Sequence, residues 1–321
     1  MTTILTYSDT LQQAAEVLTL AKQLAPALNA EAYAIHIGEL SQEAISFYGQ
    51  AGAKKIYHIE DGQVSKGGPA VAAEALADTV SRVGAEVLLV AATRFGLETA
   101  PRVAQRLSTG YAAECFEVRV EEGSIVAYRG VLGGTYHAEV VMKKRPCVIS
   151  VQTGRYQPSL SGAAETPQVE KIEVSPSAPS VELIEVQQSE AGEVELEKAE
   201  LIVSVGRGFK KKEDLALAEE LAKVVGAEIG CSRPIAGDLK WLPEERHIGL
   251  SGKRVRPKLY LALGISGQVQ HLVGMRDSKT VIAINTDPNA PIMQESDYAV
   301  VGDLYKIIPL LTEKLKQTLG K

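Results

Sequence analysis

Cysteine is scarce in this chain, whose 321 residues include only Cys115, Cys147 and Cys231. An odd, scattered set excludes a disulfide framework and lacks the spacing of a thiolate metal site. Three buried, reduced thiols are expected instead. No apolar run approaches the roughly 18–20 residues that cross a bilayer, so no transmembrane segment is expected. No apolar stretch follows a basic start, and the first residues are not Arg-rich. Neither a signal peptide nor a transit peptide is expected, which makes a cytoplasmic protein the default. Aromatic residues are few, at 5% with a single Trp. No catalytic triad, metal-ligating cluster or acid–base pair is evident, and nothing points to a covalent substrate intermediate.

Ala, Val, Leu and Gly are plentiful, which suits parallel strands covered by helices. A chain of this length is expected to form two domains. The net charge of −6 is uneven. Residues 1–200 carry 16 Lys and Arg against 26 Asp and Glu, while residues 201–321 carry 18 against 14. A basic C-terminal part suits an anionic dinucleotide, although chance could give the same imbalance. No nucleic-acid partner is expected.

In the N-terminal part, strands are expected at residues 2–6, 30–37, 55–59 and 87–92, and helices at 12–28, 41–49 and 70–83. Pro69 suits the first turn of the last of these helices. Such alternation implies a parallel sheet with right-handed crossovers. Residues 92–102 read as a Gly-containing loop, followed by a helix to Leu107. Thr93, Arg94 and Gly96 are assigned a structural role there, and Arg94 could also face a partner or a cofactor. A hairpin is expected around Glu121-Glu-Gly123, with strands at 116–120 and 124–129. After a turn at 130–135, strands at 138–142 and 147–151 are expected to be antiparallel. The lone His137 reads as structural. From residue 154 to 198 the composition shifts to Pro, Ser, Ala, Gly and Glu. Two alternating pieces, at 169–174 and 181–186, read as edge strands in this connector. The boundary is placed so that residues 1–197 form one α/β domain with its connector and residues 198–321 a second.

In the second domain, residues 201–205, 227–230, 259–263 and 280–284 are short apolar runs, as buried parallel strands are. Each feeds a polar turn. Gly206-Arg207-Gly208 leaves the first, ahead of a helix over 212–225. It is shorter than the full Gly-x-Gly-x-x-Gly pattern, which weakens a nicotinamide reading. Arg207 could hold a phosphate in its forked guanidinium or simply face solvent. Cys231-Ser232-Arg233-Pro234 leaves the second run. A loop over 241–247 follows, with Trp241 as packing, and then Gly249-Leu250-Ser251-Gly252. The third run leads to Gly264, Ser266, Gly267, Gln268, Val269, Gln270 and His271, with Ser266 and Gly267 expected to open a helix. Free N–H groups of a first helical turn bind anions. A hydroxyl, two amides and an imidazole can bind a large polar ring. An ordinary strand-to-helix turn would look similar. Asn285 closes the next strand. Asp303 precedes a last helix over 304–319, where it could accept a ribose hydroxyl, cap the helix, or do both.

The run Leu259-Tyr-Leu-Ala-Leu-Gly-Ile-Ser-Gly-Gln-Val-Gln-His271, followed by Ala283-Ile-Asn285, resembles the signature of the electron transfer flavoprotein alpha subunit. So do Val205-Gly-Arg-Gly208, Cys231-Ser-Arg-Pro234, Asp287-Pro-Asn-Ala-Pro-Ile292, Asp297-Tyr298 and Gly302-Asp-Leu304. The resemblance is dense in the C-terminal part and looser before it. It implies an α/β chain of two domains: an N-terminal parallel sheet with added antiparallel strands, and a doubly wound, Rossmann-like FAD-binding domain. It also implies a heterodimer with a beta subunit that carries AMP or a second FAD. The resemblance puts Ser232 near the pyrophosphate, Arg233 over the flavin ring, Ser251 at its N5 edge and His271 near its O2. Gln268 and Gln270 would lie beside the ring or the ribityl chain, and Asn285 and Asp303 by the adenosine. Arg207, Ser266, Gly267, Val269 and the turn from Gly249 to Gly252 complete the implied site.

A fixed cation favours an anion beside it, so Arg233 over the ring would favour reduced flavin. Arg233 could otherwise be a surface ion-pair partner. His271 would act on the ring as a donor or as a positive charge; alone at a helix start, such a His is commonly structural. Where the family reads Gly-Gln-Thr-Gly, this chain keeps a hydroxyl in Ser251 and loses an amide at Leu250. With Cys231 and Trp241, that departure resembles the subgroup associated with anaerobic metabolism and nitrogen fixation, which includes bifurcating members. The implied role is an electron carrier without a substrate site of its own. It would link a flavin dehydrogenase, such as the acyl-CoA dehydrogenase of fatty acid beta-oxidation, to a quinone reductase. In the bifurcating form, electrons from NADH would divide between that path and ferredoxin. Two other readings stay open: an FAD- or NAD-dependent oxidoreductase with its own small-molecule substrate, and a non-redox nucleotide-binding protein.

Overall fold

The computed structural model describes residues 2–62, 64, 67–132, 134, 136–158, 160, 166–174 and 196–320. The strand expected at 181–186 and part of the turn at 130–135 lie outside the described residues. Backbone contacts divide the chain into two compact units, Met1–Gln187 and Gln188–Lys321.

The first unit is built on one large sheet. Its strands are β1 (Thr2–Tyr7), β2 (Ala30–Ile37), β3 (Lys55–Ile59), β4 (Val87–Ala91), β5 (Tyr111–Glu121), β6 (Ser124–Val131), β7 (Tyr136–Met142), β8 (Cys147–Val151) and β9 (Gln168–Lys171). They lie in the order β7-β6-β5-β8-β4-β1-β2-β3-β9. Successive side chains of a strand point to opposite faces. Ile4 therefore joins a core with Leu18 of helix α1 (Leu11–Leu28) and Tyr48 of α2 (Gln42–Gln50). Leu5 joins the opposite core, with Leu76 of α3 (Gly68–Val83) and Val103 of α4 (Arg94–Arg106). The expected edge strand of the connector is present as β9, parallel to β3.

Two local expectations are corrected. The strand expected to be antiparallel at 147–151 is β8, which runs parallel between β4 and β5. Among the described residues, only β5, β6 and β7 form an antiparallel meander, from which the chain returns to the middle of the sheet. All five positions of β8 are buried, as a strand covered on both faces requires. The second correction concerns α4, which starts at Arg94 where a loop was expected. Thr93 caps it by accepting the Gly96 N–H at 2.9 Å, and donates to Asp9 Oδ1 at 2.5 Å. A Cβ on Gly96 would collide with the Ala91 carbonyl, so this helix lies hard against β4. Thr93 and Gly96 thus serve the packing, while Arg94 is exposed.

The second unit holds a parallel sheet of β10 (Leu201–Val205), β11 (Glu228–Cys231), β12 (Leu259–Leu263), β13 (Val281–Asn285) and β14 (Tyr298–Val301). Their order is β11-β10-β12-β13-β14. Helices α5 (Ala216–Val225) and α8 (Leu304–Leu319) pack on one face. Helices α6 (Val269–Met275) and α7 (Pro291–Gln294) pack on the other. This is the doubly wound order in which the chain reverses direction across the sheet between β10 and β12, and ligands bind outside the carboxyl ends of the strands at such a point. The helix expected over 212–225 opens with a 3₁₀ turn, Lys212–Leu215. β14 ends the sheet and is exposed at all four positions. Among the described residues, no helix is long and apolar enough to cross a membrane, and no three metal-ligating side chains group together.

Candidate functional site

The turns that leave the carboxyl ends of β10 and β12 cross at bare Cα atoms. A Cβ on Gly208 would lie 2.6 Å from the Cα of Gly264. One on Gly264, whose φ is +62°, would meet the Cα of Gly208 at 2.7 Å and the Leu304 side chain at 2.9 Å. The Gly208 N–H donates to the Gly264 carbonyl at 2.9 Å. The start of α8 therefore lies against both turns, which gathers exposed Arg207 and Asp303 around the crossing. Asp303 caps α8, accepting the Tyr305 N–H at 3.0 Å. Asn285 is tied in as well: its side-chain amide donates to the Ile265 carbonyl at 2.7 Å, and its main-chain carbonyl accepts the Gly302 N–H at 2.9 Å.

A second group forms beyond β11. Ser232 is buried, and its N–H donates to the Val205 carbonyl at 3.0 Å. Arg233 is exposed and leads into a single π turn, Pro234–Asp238, a form that recurs at functional sites. Its Nη1 donates to Ser251 Oγ at 2.9 Å. The turn from Gly249 to Gly252 is stitched on two sides. The Ile248 N–H donates to the Cys231 carbonyl at 2.9 Å, and the Leu250 N–H to the Gln270 carbonyl at 2.7 Å. A Cβ on Gly274 would meet the Cα of Gly249 at 2.6 Å, so α6 packs directly on this turn.

The helix expected to open at Ser266 and Gly267 begins at Val269. Gly267 has φ of +81°, a left-handed conformation that no helix start can contain. Residues 264–268 instead make an irregular turn, with the Ser266 carbonyl accepting the Ile292 N–H at 3.1 Å. Ser266, Gln268 and Gln270 are exposed along this edge. So are two apolar side chains, Leu250 at 47% and Val269 at 51%, which could lie against a flat ring.

His271 is buried. Its Nε2 lies 2.9 Å from the hydroxyl of Tyr260, itself fully buried in β12. Its Nδ1 is buried without a hydrogen-bond partner among the described residues. Burial pulls the imidazole down to about 4; the Ile248 backbone opposes this and His247 adds to it. At neutral pH the ring is uncharged, because a buried cation without a counter-charge is disfavoured. The uncharged ring suits the expected role of donor, and the positive-charge role would need a proton drawn to it by a neighbouring anion. His247 is also held below the ordinary histidine value, by burial and then by Arg233, against a smaller pull from Glu244. The Cys231 thiol is pushed up to about 12 by burial and is unreactive.

These residues suit a bound dinucleotide. A guanidinium, hydroxyls and amides face outward, an imidazole nitrogen lies orphaned behind them, and the backbone turns approach closely for want of side chains. Tyr260, His247 and Gly274 escaped the sequence reading as members of this group. Tyr260 lies within an apolar run, and neither His247 nor Gly274 belongs to a recognisable local pattern.

Residues 11–177 match the electron transfer flavoprotein domain, and residues 195–276 the electron transfer flavoprotein FAD-binding domain. Protein FixB of Escherichia coli is 39% identical over 244 residues, covering 76% of this chain and 78% of FixB. Protein FixB of Shigella dysenteriae gives the same figures, 39% over 244 residues. Among solved structures, Acinetobacter baumannii MurG aligns over 99% of this chain and 90% of its own at 10% identity and a TM-score of 0.31. That likeness is too slight to carry any structural argument. The FAD-binding match gives FAD as the cofactor; proteins of this family are electron carriers and pair with a beta subunit. The chain belongs to the electron transfer flavoprotein alpha-subunit family, in its FixB-like, nitrogen-fixation-associated branch.

Proposed function

We propose that residues 198–321 hold FAD along the carboxyl edge of their sheet, and that the chain passes electrons between a flavin dehydrogenase and a downstream acceptor. FAD, when bound, supplies the one- and two-electron chemistry that no side chain here provides. Asn285 and Asp303 would bind the adenosine end, and Arg207 a phosphate. Ser232 and the turn of Ser266 and Gly267 would bind the pyrophosphate, with Gln268 beside the ring or the ribityl chain. Gly249, Leu250, Ser251, Gly252, Val269, Gln270 and His271 would surround the ring, with Arg233 above it. The observation that carries this reading is the Arg233–Ser251 bond at 2.9 Å, made on a turn that is itself bonded to Gln270. It places a permanent cation and an orienting hydroxyl on one edge. A cation there favours negative charge on its neighbour, so this chain would raise the affinity for the reduced cofactor without binding a substrate of its own.

The dehydrogenase is proposed to be of the acyl-CoA type and the acceptor a quinone reductase. NADH-dependent bifurcation to ferredoxin is the second form of the same role. Co-expression with the beta subunit tests the core of this proposal. A yellow heterodimer with FAD on this chain is expected, and Arg233→Ala should lower the potential of the one-electron couple by about 60 mV for each tenfold loss of preference for the one-electron-reduced form. A colourless complex, or a potential indifferent to Arg233→Ala, would sink it. Flavin counting and an assay of NADH-dependent ferredoxin reduction separate the two forms.

A further inference from the structure

We propose that His247 is a positioning residue for the flavin edge: its imidazole underlies the turn from Gly249 to Gly252 and holds Ser251 where Arg233 reaches it. The inference rests on reading this edge as the FAD site. The ring lies between two glycines. A Cβ on Gly252 would meet His247 Nδ1 at 2.6 Å, and one on Gly249 would meet Nε2 at 3.1 Å. The imidazole therefore occupies the room left by two missing side chains. Main-chain bonds fix its base: the His247 carbonyl accepts the Lys253 N–H at 2.7 Å, and His247 bridges in parallel to Cys231.

Ser251 is exposed, and among the described residues its hydroxyl has Arg233 as its one hydrogen-bond partner. The placement of that hydroxyl is thus set by the turn beneath it. Neither ring nitrogen of His247 hydrogen-bonds to a described residue, so the side chain acts through shape and charge. The charged and titratable groups around it are Arg233 beyond β11, Glu244 on the preceding 3₁₀ turn, and His271 on α6. Burial and Arg233 both oppose a proton on His247, which therefore gains charge only in acid. Shape and charge can be separated experimentally. Glutamine keeps a planar, polar side chain in the gap but never becomes a cation, whereas alanine leaves the gap open.

The test uses the FAD-loaded heterodimer with wild-type His247, His247→Ala, His247→Gln and, for comparison, Arg233→Ala. Dissociation constants of oxidised and reduced FAD and the flavin potential are measured from pH 5 to 8. His247→Ala is expected to lose about tenfold in preference for reduced FAD, equivalent to about 30 mV for the two-electron couple. His247→Gln should stay within about twofold of wild type at pH 8, where the histidine is neutral. In acid, below the ordinary histidine value of about 6.5, the wild-type potential should rise above that of His247→Gln as the imidazole takes up its proton. If His247→Ala matches wild type while Arg233→Ala lowers the potential, the role of His247 is overturned and the site reading stands. If Arg233→Ala is also silent, both fall. Should His247→Ala fail to fold, a His247→Ser variant, which also leaves most of the gap open, would overturn the proposal if its FAD affinities and potential matched wild type.

Discussion

A neutral imidazole packed behind a tyrosine hydroxyl makes His271 sensitive to acid. In an unfolded chain a histidine titrates near 6.5; in the folded protein burial takes this one to about 4. Above pH 6.5 both states are uncharged and the contribution of His271 to stability is complete. As the pH falls below 6.5 the unfolded chain takes up the proton first, and stability declines until the folded ring titrates as well, about pH 4. The loss is on the order of 3 kcal/mol. Denaturant unfolding at pH 7 and pH 4.5 should show most of it, and His271→Gln should flatten the dependence. An equal acid loss in the variant would assign the effect to another group.

At the scale of elements, the crossing of two strand exits at Gly208 and Gly264 sets how close the edges of the site can come. Gly264→Ala forces a side chain into a left-handed residue, at a cost of roughly 1–3 kcal/mol from the backbone alone. It also pushes against the Cα of Gly208. A lower melting temperature and weaker FAD retention are expected together; an unchanged melting temperature would show that the two turns separate freely. Most elements were legible in the sequence because burial leaves a local mark. β10, β12 and β13 are apolar runs with covered faces, and α8 carries both its period and its Asp303 cap. The start of α4 was not, because Gly96 and Pro101 are poor helix formers, and what places them is contact with β4. The left-handed Gly267 hid the start of α6 in the same way. The direction of β8 was illegible for a different reason: it depends on β4 and β5, strands distant along the chain, and no local pattern carries that choice.

For the whole molecule, the signature around Leu259 to His271 pointed to family and cofactor directly, but not to how the side chains meet. Arg233 finds Ser251 18 residues away, and Tyr260 finds His271 11 residues away. Such pairs exist only once the sheet brings its strand ends to one edge. The far side of that sheet has a consequence of another kind. Among the described residues no strand pairs with the outer edge of β14, which is flanked by Tyr298 at 63%, Val300 at 38% and Val301 at 57% exposure. A bare rim of this sort is a template for a further strand. Produced without a companion subunit, the chain is expected to stick to itself as its concentration rises, and Val300→Lys to keep it dispersed. Sedimentation velocity across a dilution series would show this, and identical profiles for the two proteins would mean that the rim is not adhesive.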